Sequence, residues 1–430
     1  MSRLNTIGAA EAAKRLNAGT ISSEALVRDC LERIEAREGQ VKAWEYIDPD
    51  YAIAQAKALD AMPRRSVLHG VPVGVKDIFD TLDMPTAHGF PPFFGQRGGV
   101  DSACVAVMRA AGMVIMGKTV TTEFACPVPR MTTCNPHDLS RTPGVSSSGS
   151  AAAVADCMIP LAIGSQTGGS IILPAAFCGV YGYKSSPTAL DRTGYRHGKP
   201  SLDSIGLFGR SMDDLLLLRS VQISAAAPQD GARQSPPRIG LPRSRIWETL
   251  DPATRSAMEN TVRILQRAGA GIGYVDLPET IVPSDDFFAV VTAWETADVM
   301  AEEIRNHGPA FNAFNRRKID VSKSVTQDQY QDTLQKIAAI QSDVNDMTRD
   351  YDVLLLPSAP GEAPLATPDP IPDDFAKFWS LLRTPAANLP LYKGAHGLPL
   401  GIQVIGKPDK DADMLGAAAW IDRKVRDASA

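Results

Sequence analysis

The chain is 430 residues long, with 44% hydrophobic and 22% charged residues, and its formal net charge is −5. This length and apolar content can bury a large core, in one large domain or in two or three smaller ones. The charges form no block of one sign, so the sequence carries no electrostatic footprint for a nucleic acid or an anionic membrane. We therefore predict a protein that acts on a small molecule.

The N-terminal stretch "MSRLNTIGAAEAAKRLNAGT" lacks the apolar core of about 7 to 15 residues that a secretory signal needs. The longest apolar stretch, residues 151–164, is interrupted by Asp156 and Pro160 and is shorter than the roughly 20 residues that span a bilayer. We expect a cytoplasmic protein without a membrane-spanning helix.

The six cysteines and six histidines form no C-x-x-C, H-x-H or H-E-x-x-H motif. These spacings would indicate a redox pair or a metal site. We therefore expect reduced, mostly buried thiols and predict neither a metal nor a cofactor.

The first strong helical pattern covers residues 22–37. Val27, Cys30 and Ile34 recur on one helical face, and a serine at 22 or 23 can cap the start. From about residue 70, short apolar runs ("VPVGV", "MVIM", "IPLAIG", "GVYGY") alternate with helical patterns. This alternation predicts an α/β fold with a mainly parallel central sheet.

The second half continues this alternation after a loop at residues 225–237. "RIGL" and "GIGYVDLP" flank a helical pattern at 252–268, residues 283–350 are largely helical in pattern, and "YDVLLLPSAP" predicts a buried strand. The proline-rich residues 357–374 cannot form a helix or a central strand. We expect them to form a loop at the edge of a cleft.

One stretch, "GMVIMGKT" at 112–119, matches the phosphate-binding motif G-x-x-x-x-G-K-[ST]. That motif needs a strand before its loop and a helix after it, but here a helical pattern precedes Gly112 and the middle residues are apolar like a strand. We interpret Gly112 as a helix-to-strand turn. The serine-hydrolase motifs G-x-S-x-G (around Ser170, Ser146 or Ser148) and S-x-x-K are absent as well.

Three other segments carry candidate catalytic side chains: "GVPVGVKD" ending at Lys76 and Asp77, "TPGVSSSGSAAAVA" around Ser146, and "GSQTGGSIILPAAFCG" around Ser170. Taken singly, they are typical of a strand end, a helix cap and a turn. Together and in this order they resemble the amidase signature family of serine amidohydrolases, closest in pattern to its malonamidase-like members. Segments such as "NPHD" and "GLPLGIQVIG" extend the resemblance over most of the chain.

The resemblance implies a single amidase signature domain over residues 1–430, with a large mixed, mainly parallel sheet covered by helices on both faces. Residues 1–65 would form a helical N-terminal part, 66–222 the catalytic core, and 238–430 the part that completes the sheet and the substrate pocket. The implied activity is hydrolysis of a small-molecule amide, with release of ammonia or an amine. A homodimer is a prediction that rests on the resemblance alone.

The resemblance also implies a catalytic triad. Ser170 would be the nucleophile, Ser146 a bridging serine with a cis peptide bond, and Lys76 the base. A lysine can take a proton only when it is neutral, so burial must lower its pKa. The oxyanion would bind the backbone N–H groups of Thr167, Gly168, Gly169 and Ser170.

The chain departs from the family pattern beside the nucleophile. Gln166 stands where an aspartate is usual, Ile172 where an arginine is usual, and Leu173 where some malonamidase-like members have a basic residue. We take the loss of both charges together as a substitution within a working site, and expect the acyl side of the pocket to prefer a neutral group. The candidate substrate-binding residues are Met131, Thr132, Gln166, Ile172, Leu173, Phe378 and Trp379. Core packing would explain the apolar ones among them equally well.

Three alternatives stay open at this point. The chain could be a glutamine-hydrolysing amidotransferase subunit of the A type, although such subunits are generally longer and usually keep the missing aspartate and arginine. It could hydrolyse a urea or a carbamate by the same chemistry. It could also be a non-catalytic binding protein on this fold, since a fold does not fix a function.

Overall fold

The structure is a computed structural model that describes residues 3–126, 128, 131–196, 198–224, 233, 235–243, 245–277, 285–367 and 374–429. Within them lie fourteen α-helices: α1 Ala9–Asn17, α2 Ser23–Val41, α3 Pro49–Asp60, α4 Ala103–Ala110, α5 Ser148–Ala155, α6 Ile172–Cys178, α7 Met212–Gln222, α8 Pro252–Arg267, α9 Asp285–Val299, α10 Ala301–His307, α11 Ala313–Ser322, α12 Gln327–Met347, α13 Asp374–Leu381 and α14 Asp411–Asp427. The same residues contain eleven strands: β1 Trp44–Ile47, β2 Pro72–Lys76, β3 Val114–Thr119, β4 Leu161–Gln166, β5 Tyr181–Lys184, β6 Ser204–Gly209, β7 Arg238–Arg243, β8 Gly271–Asp276, β9 Val353–Pro357, β10 Ala386–Lys393 and β11 Pro399–Ile405.

All eleven described strands join in one sheet, in the order β1-β3-β2-β4-β6-β5-β10-β11-β9-β7-β8. The predicted α/β class and the mixed sheet with helices around it are confirmed. The expectation that the sheet is mainly parallel is wrong, because six of the described neighbouring pairs are antiparallel and four are parallel. The parallel pairs are β2–β3, β2–β4, β7–β8 and β7–β9, whereas β5, β6, β10 and β11 pair only in the antiparallel sense.

Several local predictions are confirmed. Helix α2 begins directly after Ser22, whose hydroxyl accepts a hydrogen bond from the N–H of Ala25. Gly112 has a φ of 79° and forms the turn between α4 and β3, so the apparent phosphate motif is a helix-to-strand turn. The N-terminal part is mostly helical, but it also contributes β1 to the edge of the sheet.

The main apolar core runs from Ala9 in α1 to Val425 in α14 and includes residues of the central strands. No helix in the described ranges is long and apolar enough to cross a membrane. Two predicted loops are described only in part, because residues 225–232 and 234 of the first and residues 368–373 of the second lie outside the described residues.

The parallel pairing of β2 with β4 places the site. Val73 and Val75 of β2 lie opposite Leu161 and Ile163 of β4, so both strands end at the same edge of the sheet. Ligands bind at this carboxyl edge in open α/β sheets. Lys76 ends β2 there, and the turn that carries Ser170 follows β4.

Candidate active site

Lys76 is fully buried and lies among hydroxyl groups. Its Nζ donates to the Oγ atoms of Ser146 at 2.8 Å, Ser147 at 2.9 Å and Ser165 at 2.9 Å. Burial lowers the pKa of Lys76 well below its usual value, and the neutral hydroxyl partners do little to oppose this. The side chain therefore has the environment of a lysine base.

The two serines in contact with Lys76 differ in their remaining hydrogen bonds. Ser147 Oγ donates to the carbonyl of Ser165 at 3.0 Å and accepts the Ser165 N–H at 3.3 Å, so both its donor and its acceptors are used. Ser146 Oγ has no partner but Lys76 within the described residues. Only Ser146 thus has a hydroxyl proton that is free to move.

A polar chain leads from Lys76 to a carboxylate. Ser165 Oγ hydrogen-bonds Tyr195, and the Tyr195 hydroxyl also hydrogen-bonds Asp203. Asp203 is 1% exposed, and its charge raises the pKa of Lys76 in opposition to the larger effect of burial. Asp203 can therefore stabilise a proton on Lys76 without touching it.

Asp203 also holds the loop that carries Ser170. Its Oδ1 accepts the hydroxyl of Thr167, and its Oδ2 accepts the N–H groups of Gly198 at 2.9 Å and Lys199 at 3.0 Å. The same carboxylate thus acts on the base and on the nucleophile loop.

Ser170 lies in the turn between β4 and α6 and is 9% exposed, so its hydroxyl can be reached from outside. Its side chain makes no hydrogen bond with any residue that the structure describes. In the described part of the chain, no acceptor is found for the backbone N–H groups of Thr167, Gly168, Gly169 or Ser170. Such free donors beside a serine are what an oxyanion requires.

The serine loop before α5 packs against the nucleophile segment with an all-trans backbone. No peptide bond between described residues is cis, so the cis bond expected at Ser146 is absent from this structure. A non-proline cis bond costs about 3–4 kcal/mol, and the contact between Lys76 and Ser146 forms without it.

Gln166 lies at the end of β4 and is 1% exposed. Its Oε1 accepts the N–H groups of Ile171 at 2.7 Å and Ile172 at 3.0 Å, and its Nε2 donates to Ser380 at 3.0 Å. Each of these hydrogen bonds is made to the protein itself, so Gln166 supports the turn.

The apolar substrate-binding candidates beside it lie in the core. Ile172 is fully buried in one apolar cluster with Phe378 and Trp379, which are 7% and 3% exposed. Leu173 is fully buried in another cluster with Phe177. For these residues burial favours the core-packing explanation, and their role in substrate binding stays a prediction.

Met131 and Thr132 are the two candidates that remain at the surface, one partly and one largely exposed. Residues 127, 129 and 130 beside them lie outside the described residues. Their role in substrate binding stays a prediction.

The sequence analysis missed Ser147, Ser165, Tyr195, Asp203 and Ser380. Ser147 adjoins a predicted residue, and Ser165 stands in the quoted segment as a polar residue in a buried strand. Asp203 and Ser380 are brought in by tertiary contacts and carry no local signal.

A buried ion pair lies beside the base. Lys118 Nζ lies 3.0 Å from Asp77 Oδ1, and both side chains are at most 1% exposed. Burial raises the pKa of Asp77, and the Lys118 charge opposes that rise. The lysine of the apparent phosphate motif is thus used in a structural contact. No group of three His, Cys, Asp or Glu side chains that could hold a metal is found among the described residues.

Comparison with known proteins agrees with this geometry. The family profile described as "Amidase" matches residues 25–415. The A-type subunit of the glutamyl-tRNA(Gln) amidotransferase of Chloroflexus aggregans is 31% identical over 469 aligned residues, which cover 96% of each chain. A solved structure described as "Crystal structure of amidase" has a TM-score of 0.89 and 27% identity, covering 97% of this chain and 100% of that one.

A further solved chain has a TM-score of 0.87 and 25% identity, with 98% of each chain covered. It is described as "an unexpected vestigial protein complex" that reveals the origins of "an s-triazine catabolic enzyme". These matches define the class of protein: an amide-hydrolysing enzyme. The chain belongs to the amidase signature family, as its three segments predict. The narrower likeness to malonamidase-like members stays a prediction.

Proposed function

We propose that this enzyme cleaves a carboxamide through an acyl-Ser170 intermediate, with Ser146 and Lys76 moving the proton. The observation that carries the proposal is the fully buried Lys76, with a lowered pKa and a 2.8 Å hydrogen bond to Ser146, at the same sheet edge as the accessible Ser170. A urea or carbamate substrate and a non-catalytic protein, the two alternatives outside carboxamide chemistry, have no comparable support.

Acylation begins when Ser170 Oγ attacks the amide carbonyl. Ser146 accepts the proton from Ser170 and passes its own to neutral Lys76. The carbonyl oxygen becomes an oxyanion at the free backbone N–H groups of the turn, where each donor is typically worth about 100- to 1,000-fold in rate. The proton then returns through Ser146 to the leaving nitrogen, which departs as ammonia or an amine.

Deacylation repeats the sequence with water. Lys76 and Ser146 take a proton from the water that attacks the acyl-serine, and the proton returns to Ser170 as the acid leaves. Lys76 must be neutral at the start of both half-reactions, which is the form that its burial favours.

The substrate has two candidates, a free small-molecule amide and the side chain of glutamine in an amidotransferase. The names of the amidotransferase relatives favour glutamine as the substrate. The sequence alone favours a free small-molecule amide. The alignment with one such relative spans 96% of each chain, so the likeness is not confined to the three catalytic segments.

Ammonia release separates the two candidates. The chain alone would be assayed with glutamine, with small aliphatic and aryl amides, and with carboxylate-bearing analogues of those amides. The glutamine assay would then be repeated after reconstitution with amidotransferase partner subunits. Glutamine hydrolysis that depends on the partners supports the amidotransferase, whereas turnover of a simple amide by the chain alone supports the free-standing amidase. Ser170→Ala is the control, and amide turnover retained by this variant would contradict the proposed mechanism.

A further inference from the structure

We propose that Gln166 and Ser380 form a positioning pair that aims the oxyanion donors of the nucleophile turn. This inference rests on the proposed role of Ser170 and adds two residues to it. Neither residue touches the reacting atoms. They act through a closed set of hydrogen bonds, here called the turn clamp, made by Gln166, Ser380, Gly168, Ile171 and Ile172.

Gln166 ties the two ends of the turn together. It ends β4, and its Oε1 accepts the N–H groups of Ile171 and Ile172 at the start of α6. These N–H groups belong to the first turn of a helix, where no intrahelical acceptor exists. One amide side chain thus spans the whole segment that contains the nucleophile.

Ser380 orients the middle of the turn. This fully buried residue of α13 accepts a hydrogen bond from Gln166 Nε2 at 3.0 Å and donates its own proton to the carbonyl of Gly168 at 2.7 Å. In a trans peptide the C=O and the next N–H point in opposite directions. A Gly168 carbonyl held toward Ser380 therefore turns the Gly169 N–H away from Ser380.

The next peptide is held in the same way. The carbonyl of Gly169 accepts the N–H of Leu173 at 2.9 Å, which turns the Ser170 N–H to the opposite side. The N–H groups of Gly169 and Ser170 have no acceptor among the described residues. They are therefore the two donors oriented for the oxyanion, the Gly169 N–H by the clamp and the Ser170 N–H by the hydrogen bond between Gly169 and Leu173.

The chemistry of the clamp explains why residue 166 is a glutamine. The site requires an acceptor for two N–H groups and a donor for the Ser380 hydroxyl at once. A carboxylate can only accept, and a hydrocarbon can do neither. An amide does both without placing a charge next to the apolar side chain of Ile172, and burying an unpaired charge would be costly.

The test measures kcat and KM for Ser380→Ala and Gln166→Glu on the substrate found for the wild type. Ser380→Ala releases the Gly168 carbonyl. Gln166→Glu keeps the acceptor but removes the donor, so the Ser380 hydroxyl turns from Gly168 toward the carboxylate. Loss of a whole oxyanion donor costs about 100- to 1,000-fold in kcat, and we expect its misorientation to cost about 10- to 100-fold.

The pattern of effects identifies a positioning role. KM should stay within about twofold, because oxyanion contacts form only in the transition state. The acid limb of the pH profile should stay in place in Ser380→Ala, because this substitution changes no charge and Ser380 does not contact Lys76. The double variant should lose little more than the worse single variant, because both act through one clamp.

Ser185→Ala is the matched control. Ser185 is 1% exposed and donates to the carbonyl of Ile205 at 2.9 Å, outside the turn. This variant should keep the wild-type kcat. Each preparation is labelled with a fluorophosphonate until no more label is incorporated, and the measured rate is divided by the labelled fraction of chains. A partly unfolded preparation is then not mistaken for a catalytic loss.

Two results would overturn the inference: a kcat within twofold of wild type in both Ser380→Ala and Gln166→Glu, or a rise in KM without a fall in kcat. If Ser380→Ala fails to fold, Gln166→Glu alone decides by the same criteria. Failure of the proposed function looks different, because the wild-type chain would then acquire no label on Ser170.

Discussion

Lys76, the proposed base, is fully buried and contacts no carboxylate among the residues that the structure describes. Its three side-chain partners are hydroxyl groups, and the charge of Asp203, which hydrogen bonds through Tyr195 connect to Ser165, raises its pKa. A direct contact with a carboxylate would favour the protonated form, which cannot act as a base. The arrangement therefore lowers the pKa of the lysine and still provides a carboxylate that can stabilise the proton it receives.

The neutral form of Lys76 should make folding depend on pH. In the unfolded chain its pKa returns to about 10.4, so unfolding takes up a proton at any pH between the lowered folded value and about 10.4. This lowers the stability of the wild type by about 1.4 kcal/mol for each pH unit below 10.4 within that window. Lys76→Met removes the effect, and we expect it to be more stable than wild type near pH 7, with a difference that shrinks as the pH rises toward 10.

Urea unfolding of both proteins from pH 7 to 10 checks this prediction. Lys184, whose pKa burial lowers to about 7, is present in both proteins and cancels in the difference. A stability difference that does not change with pH would show that Lys76 is protonated in the folded chain.

The two serines on Lys76 should have different roles. Ser147 already uses its proton on the Ser165 carbonyl, whereas Ser146 has a free one. We expect Ser146→Ala to lower kcat by about 100-fold or more, in the range of lost acid–base catalysis, with little change in melting temperature. Ser147→Ala should lower the melting temperature and leave more activity. If Ser147 carried the proton, Ser147→Ala would lose more activity than Ser146→Ala, and Ser146→Ala would lower the melting temperature more.

Asp203 should set the acid limit of activity. Its charge raises the pKa of Lys76, while burial and the nearby Lys199 lower it. Asp203→Asn removes the raising influence, so Lys76 should lose its proton at lower pH and the acid limb of kcat/KM should move to lower pH. An unchanged or upward-shifted limb in the pH–rate profile would contradict the path from Asp203 to the base.

The sequence reveals some residues of the candidate site but not others. Lys76, Ser146 and Ser170 stand in three recognisable segments, and the structure brings the three segments together at one sheet edge. Asp203 and Ser380 reach the turn from 36 and 212 residues away along the chain. Because contacts at such separations depend on how the strands are ordered, no local pattern could reveal them.

At the scale of elements, α5 approaches the sheet through a glycine. A Cβ on Gly149 would lie 2.4 Å from the backbone N of Val120 and 2.5 Å from the backbone O of Ala43. Backbone atoms cannot move aside as a flexible side chain can, so α5 and the serine loop before it depend on this close contact.

Gly149→Ala should therefore destabilise the fold strongly. Overpacking of a buried site typically costs about 1–3 kcal/mol and sometimes more, and we expect the upper part of that range. The matched control is Gly39→Ala in α2, where a Cβ meets nothing within 4 Å and an alanine should stabilise the helix by about 0.5–1 kcal/mol. Thermal unfolding of both variants measures the two effects. Equal melting temperatures would contradict the proposed packing.

Strand positions were predictable but strand directions were not. The apolar runs around β2, β3, β4 and β5 mark buried strands correctly. The sequence of a fully apolar strand does not show whether the strand pairs in the parallel or the antiparallel sense, however, because both of its faces are buried. The antiparallel pairing of β5, β6, β10 and β11 therefore departs from the predicted, mainly parallel sheet.

At the scale of the whole molecule, one sheet joins strands from residues 44 to 405. Lys76, Ser170 and Ser380 come from parts of the chain that are far apart in sequence but meet at one edge of this sheet. The predicted division at residues 1–65, 66–222 and 238–430 and the predicted homodimer remain predictions. Sedimentation of the purified chain, alone and with amidotransferase partner subunits, measures its assembly.

The central claim is that Ser170 is a nucleophile activated by a neutral lysine. Mass spectrometry of the intact chain after reaction with a fluorophosphonate, followed by peptide mapping, tests it most directly. We predict one adduct per chain on Ser170, formed faster as the pH rises, greatly slowed in Lys76→Met and absent in Ser170→Ala. An adduct on another residue, or equal labelling of Ser170→Ala, would contradict the account.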